Sequence, residues 1–177
     1  DSFHIEDGVQ CEMCHGPGSE YMTSAVMRTK TEAMKAGLRM PDERLCMGCH
    51  NEKGTHVAVL KSPRIDIRKA LAEIAHPLPA TGRVIGKPPE FPPAGAASPA
   101  TRKFGWAMAC GECHRGERMG HQYSLWRMGP HARAWSVLST PAAYKTAAKR
   151  GIAGDPQSAP ECLKCHTTGF GASHSSS

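Results

Sequence analysis

Cys11-Glu12-Met13-Cys14-His15 is the first of four copies of one pattern, repeated as Cys46-Met47-Gly48-Cys49-His50, Cys110-Gly111-Glu112-Cys113-His114 and Cys162-Leu163-Lys164-Cys165-His166. All 8 cysteines of the chain fall in these units. Two thiols three residues apart can add to the two vinyl groups of one porphyrin, and the adjacent histidine then reaches the iron. The pattern predicts four covalently attached haem c groups. They are held by Cys11, Cys14, Cys46, Cys49, Cys110, Cys113, Cys162 and Cys165, with His15, His50, His114 and His166 as proximal ligands.

Other readings of paired cysteines are zinc ribbons, redox dithiols, and the disulfide framework of a small exported domain. None of them requires histidine directly after every second cysteine. Four haems on 177 residues also leave about 44 residues of protein around each site, so the porphyrins themselves form the core. Only 4 Phe, 3 Tyr and 3 Trp accompany 14 Pro and 18 Gly, which suits a loop-rich chain wrapped around flat apolar groups. The expected fold is mainly α with extensive loops and little or no β-sheet.

The formal charge of +6 points superficially to nucleic acid or acidic membranes. Each oxidised haem c adds about −1, because two propionates outweigh the single positive charge of iron(III) in porphyrin, so the loaded protein carries about +2 and, reduced, about −2. Nucleic acid is therefore not an expected partner. No run of 18 apolar residues is present, so no membrane span is expected. Haem attachment of this kind takes place outside the cytoplasm, and the chain is expected to be the mature form of an exported protein, periplasmic or extracellular.

Along the chain, His4 precedes the first site; it is either a ligand or a frayed terminal residue. Gly16-Pro17-Gly18 forces a turn after the proximal ligand. Residues 20–38 read as a helix whose Met27 and Met34 face a haem, and residues 64–76 as an amphipathic helix closed by Pro77. His76 ends that helix, where a side chain can be pushed onto a haem face; a satisfied core histidine is the bland alternative. Residues 77–103, with Pro88-Pro89 and Pro92-Pro93, form a candidate connector between a haem pair at 1–76 and a second at 104–177, all within one tetrahaem domain. Pro130 suits a first helical position and puts His131 in the first turn of a helix over 131–149, broken near Pro141.

These segments resemble the cytochrome c-554 type of tetrahaem electron carrier, in the wider group related to hydroxylamine oxidoreductase. Gly8-Val9-Gln10-Cys11 with Cys14-His15-Gly16-Pro17-Gly18 is similar to that family's third haem segment, and the second site to its fourth. Trp126 with His131-Ala132-Arg133-Ala134 resembles the tract after its first haem, and Cys165-His166-Thr167-Thr168-Gly169-Phe170-Gly171 its second. The resemblance covers the four haem segments, roughly half the chain, in a rotated order. By position it implies His131 as distal ligand of the first haem and His76 of the second. Where the family tends to place a distal histidine after Gly-Pro-Gly, this chain has Tyr21 and Met22, so the third haem must turn to His121 or His56, or bind Met22, or stay open.

Six histidines lie outside the motifs: His4, His56, His76, His121, His131 and His174. Bis-histidine ligation of all four irons is thus possible, giving low-spin haems at low potential. The 9 methionines show no recurring placement and are expected to pack. The function expected is electron transfer between redox protein donors and acceptors, not catalysis; a small reductase acting on nitrogen or sulfur oxyanions or nitric oxide would need an open iron. The family's second segment runs directly into its third, and here those two lie at opposite ends of the chain. Head-to-tail copies would restore that succession across each interface, with His4 or His174 completing the fourth site, as in extracellular cytochrome filaments; a monomeric periplasmic shuttle is the alternative.

Overall fold

The computed structural model describes residues 3–51, 56, 61, 65–77 and 102–172. Most of the connector at 77–103, and His174, lie outside them. Helix is the dominant regular structure, and among the described residues a lone bridge at Phe104 is the sole trace of β pairing. The expectation of a mainly α, loop-rich fold holds.

The helices are short because the sequence stops each of them early. The first, α1 (Cys11–His15), ends at Gly16, whose φ of 85° few other residues tolerate. Residues 20–38 give two helices rather than one, α2 (Ser24–Met27) and α3 (Lys30–Lys35). The break falls at Thr29, a β-branched residue held extended at φ −120° and ψ 111°. Asp42 caps α4 (Glu43–Met47) by accepting from the Leu45 amide at 2.9 Å. In the same way Asp66 accepts from the Lys69 amide and starts α5 (Ile67–Ile74), which ends just before His76-Pro77.

The second half holds α6 (Ala107–His114) and α7 (Gln122–Met128). The expected helix over 131–149 is instead two single 3₁₀ turns, His131–Arg133 and Ser136–Ser139, followed by α8 (Pro141–Lys149). Thr140 caps α8 and Pro141 takes its first position, which is where the sequence put the break. The last helix, α9 (Pro160–His166), also opens on proline.

The largest fully buried side chains are Gln10, Thr167, Thr168 and Pro156, not leucines or aromatics. Among the described residues, protein alone therefore builds no thick apolar core. Polar groups instead tie the chain together along Gly8-Val9-Gln10. The Gln10 amide donates to Thr168 Oγ1 at 2.6 Å, and the Thr168 amide donates to the Gly8 carbonyl at 3.0 Å. The Val9 amide donates to the His131 carbonyl at 2.9 Å, and the Val9 carbonyl accepts from Trp126 Nε1 at 2.8 Å. Gln10 Oε1 accepts from the Ala107 amide at 2.9 Å. A Cβ at Gly8 would lie 2.7 Å from the His131 carbonyl oxygen, so the seam closes only over glycine.

Candidate haem-binding site

Three of the four motifs sit wholly on helices: Cys11, Cys14 and His15 on α1, Cys110, Cys113 and His114 on α6, and Cys162, Cys165 and His166 on α9. Positions i, i+3 and i+4 share one helical face, so both thiols and the imidazole of a motif are presented together. At the second motif α4 runs out at Met47, and the His50 amide still reaches the Cys46 carbonyl at 2.9 Å. None of the eight cysteines is paired in a disulfide. Among the described residues no three or more His, Cys, Asp or Glu converge as a metal cluster. A zinc ribbon would need such a cluster.

Three of the four motif histidines have their tautomer fixed. Nδ1 of His15 meets the Arg39 carbonyl at 2.9 Å, Nδ1 of His166 the Ala134 carbonyl at 2.6 Å, and Nδ1 of His114 meets Gln122 Oε1 at 2.5 Å. These oxygens can only accept, so each Nδ1 carries the proton and Nε2 keeps a free lone pair for a metal.

Three further histidines face these rings. His76 lies against His15 with ring centroids 6.0 Å apart, His131 against His50 at 6.1 Å, and His56 against His166 at 5.6 Å. An imidazole nitrogen sits about 2 Å from a metal it binds, so two rings on opposite sides of one metal have centroids roughly 6 Å apart. The residues therefore fit a porphyrin iron held from both sides. Nδ1 of His76 and Nε1 of Trp135 are moreover buried without a hydrogen-bond partner, as groups are when their environment is completed by something other than protein.

Burial holds His15 below the ordinary imidazole value, as do His76 and His114 nearby, against a raising contribution from the Arg39 carbonyl. Burial first, then His166 and His50, does the same to His56. Burial and His50 lower His131. Neutral imidazole, the metal-binding form, is favoured at each.

The pairs differ from those implied by the resemblance. His131 was expected opposite His15 and His76 opposite His50; the two are exchanged. His56 faces His166, not His114, so the histidine of the fourth motif has an imidazole neighbour from its own chain. Trp106 is the ring partner of His4, at 5.2 Å. His121 is exposed, in a left-handed conformation at the start of α7. Met22 is 41 % exposed, and the Tyr21 hydroxyl donates to the Gly16 carbonyl at 2.6 Å.

Between motifs, Cys11 lies beside Cys110 and Cys49 beside Cys165, and Cys14 lies close enough to feel Cys46. The first segment thus adjoins the third, and the second adjoins the fourth. Nothing in the residue pattern singled out Gln122 or Glu12, the first outside the motifs and the second at a position the motif leaves variable.

The family model of cytochrome c554 and c-prime matches residues 109–177, which include the third and fourth motifs. No curated protein and no solved structure matches the chain. None of the helices among the described residues is long and apolar enough to cross a membrane. The family match, with thiols and imidazoles grouped as a porphyrin requires, supports a c-type cytochrome with covalently bound haem c and a role in electron transfer.

Proposed function

We propose that the chain is an exported tetrahaem cytochrome that relays electrons along its haem sites in the order third, first, second, fourth. The observation that carries this is the set of contacts between motifs: Cys11 with Cys110, Cys14 near Cys46, and Cys49 with Cys165. Bound haem iron supplies a one-electron Fe(III)/Fe(II) couple whose potential follows its axial ligands. His15 with His76, His50 with His131, and His166 with His56 hold the two faces of three sites and leave no position there for substrate. Arg39, Gln122 and Ala134 orient the proximal rings through Nδ1.

The seam at Gly8-Val9-Gln10 and Thr168 already brings the first and fourth segments together within one chain, which favours a carrier that works as single copies. The third site favours the filament as second reading, since among the described residues no histidine ring lies against His114. His4 or His174 of a second copy is then a source of its ligand, and head-to-tail growth joins a third site to a fourth. Particle size at high concentration separates the two: single copies for the carrier, long particles for the filament.

The ligand assignment is tested by replacing His56, His76 and His131 one at a time with alanine. Each variant should keep four covalent haems by intact mass while one iron turns high-spin in its electron paramagnetic resonance spectrum. Fewer than four haems in the parent protein, or unchanged low-spin spectra in all three variants, would defeat the proposal.

A further inference from the structure

Glu12 occupies a variable position of the first motif, yet it is one of the most deeply buried residues, 2 % exposed. Its Oε1 accepts from the Gly18 amide at 2.5 Å and from the Gly105 amide at 2.9 Å, whereas Oε2 is buried with no partner. One donor is a glycine for a steric reason: a Cβ at Gly18 would come within 2.8 Å of Oε1, whereas one at Gly105 would sit in ordinary contact with both carboxylate oxygens and the Met22 sulfur at 3.7–3.8 Å. The chain has made a close-fitting compartment for a carboxyl group and equipped only half of it.

The compartment lies at the junction of two motifs. Glu12 follows Cys11 directly, and its charge acts on Cys110 of α6 as well as on Cys11. The titratable groups facing it are Cys11 on its own helix, Tyr21 on the turn that follows, and Cys110 on α6. The two thiols become uncharged thioethers once haem is attached. Tyr21 is held neutral by burial first and by Glu12 itself. The nearby cations are turned elsewhere: Arg102 lies against Gly37, and Lys103 is exposed. Among the described residues no lysine or arginine forms an ion pair with Glu12. A buried carboxylate without a counter-cation is costly, and a negative charge added beside it makes it costlier. Burial accordingly pushes the Glu12 carboxyl up, opposed in part by the two amides.

Resting on the haem reading above, we propose that Glu12 is the redox-linked proton acceptor of the first and third haem sites. As one electron arrives from a redox protein, reducing Fe(III) to Fe(II), the Glu12 carboxylate takes one proton from water onto Oε2. Electron and proton then enter together, and the buried charge does not change. The two amides keep the carboxyl in place in either state, so the proton is the only thing that moves.

Potentiometric titration of the loaded protein from about pH 5 to about pH 9, above the ordinary carboxylate value, tests this against Glu12→Gln. The parent should show one or two midpoint potentials that fall as pH rises, and the variant should lose that dependence while keeping its haem count and spin states. Equal pH dependence in both would overturn the proposal. Because a glutamine amide could disturb the compartment, a second measurement uses the parent alone. Infrared difference spectra, reduced minus oxidised, of protein carrying carbon-13 glutamate should show a protonated carboxylic acid band appearing on reduction, and absence of that band would overturn it. A wrong haem count or spin state in the parent would instead defeat the haem reading itself, so the two failures are distinct.

Discussion

At the scale of single residues, what governs this protein is how polar side chains that ought to be outside are satisfied inside. Glu12 gives a stability prediction with a definite sign. Its folded value is raised above an unfolded value of about 4.3, so in the interval between them the native state binds more protons than the unfolded one. The stabilising contribution is complete below the unfolded value and is lost as pH rises through the folded one. Compared with Glu12→Gln, the parent should therefore lose stability on going from pH 4 toward neutrality, measured as the difference in unfolding midpoints across that range. The CxxCH residues were legible in the sequence because their spacing is local and their chemistry restrictive. Glu12 was not, since one of the two amides that bury it belongs to Gly105, 93 residues away. His76 and His131 stood out as histidines at helix edges, but which motif histidine each ring faces depends on contacts between distant segments, which residue pattern does not specify.

At the scale of elements, helix boundaries rather than helix interiors carry the design. Pro141 announced a break in the sequence, and Thr140 accepts from the Ala143 amide at that same point. Thr140→Ala should cost about 1 kcal/mol and lower the melting temperature by about 2–4 °C, with the haem content unchanged. A scanning calorimetry trace that does not move would show that haem contacts, not the cap, hold α8. The same physics explains the split of 20–38: an apolar repeat was visible, but a continuous helix had to pass Thr29, and the extended backbone there allows α2 and α3 to turn independently. The stretch from His131 to Ser139 is wound as 3₁₀ turns, a difference in pitch that residue pattern does not specify, because what tightens it is the fit of the His131 and Ala134 carbonyls to Val9 and His166.

At the scale of the whole molecule, the seam between Gly8-Val9-Gln10 and Thr168 decides how the two halves of the chain are joined. Thr168→Val keeps the shape and removes the acceptor for the Gln10 amide, leaving a buried donor unsatisfied, so it should destabilise by about 1–3 kcal/mol in chemical unfolding. Gly8→Ala should cost at least as much, because it adds a carbon 2.7 Å from the His131 carbonyl at a φ of 68°. The seam has a further consequence. Because hydrogen bonds hold Thr168 against Gly8 and Gln10, which precede the first motif, the neighbours of a motif in space need not be its neighbours in the sequence.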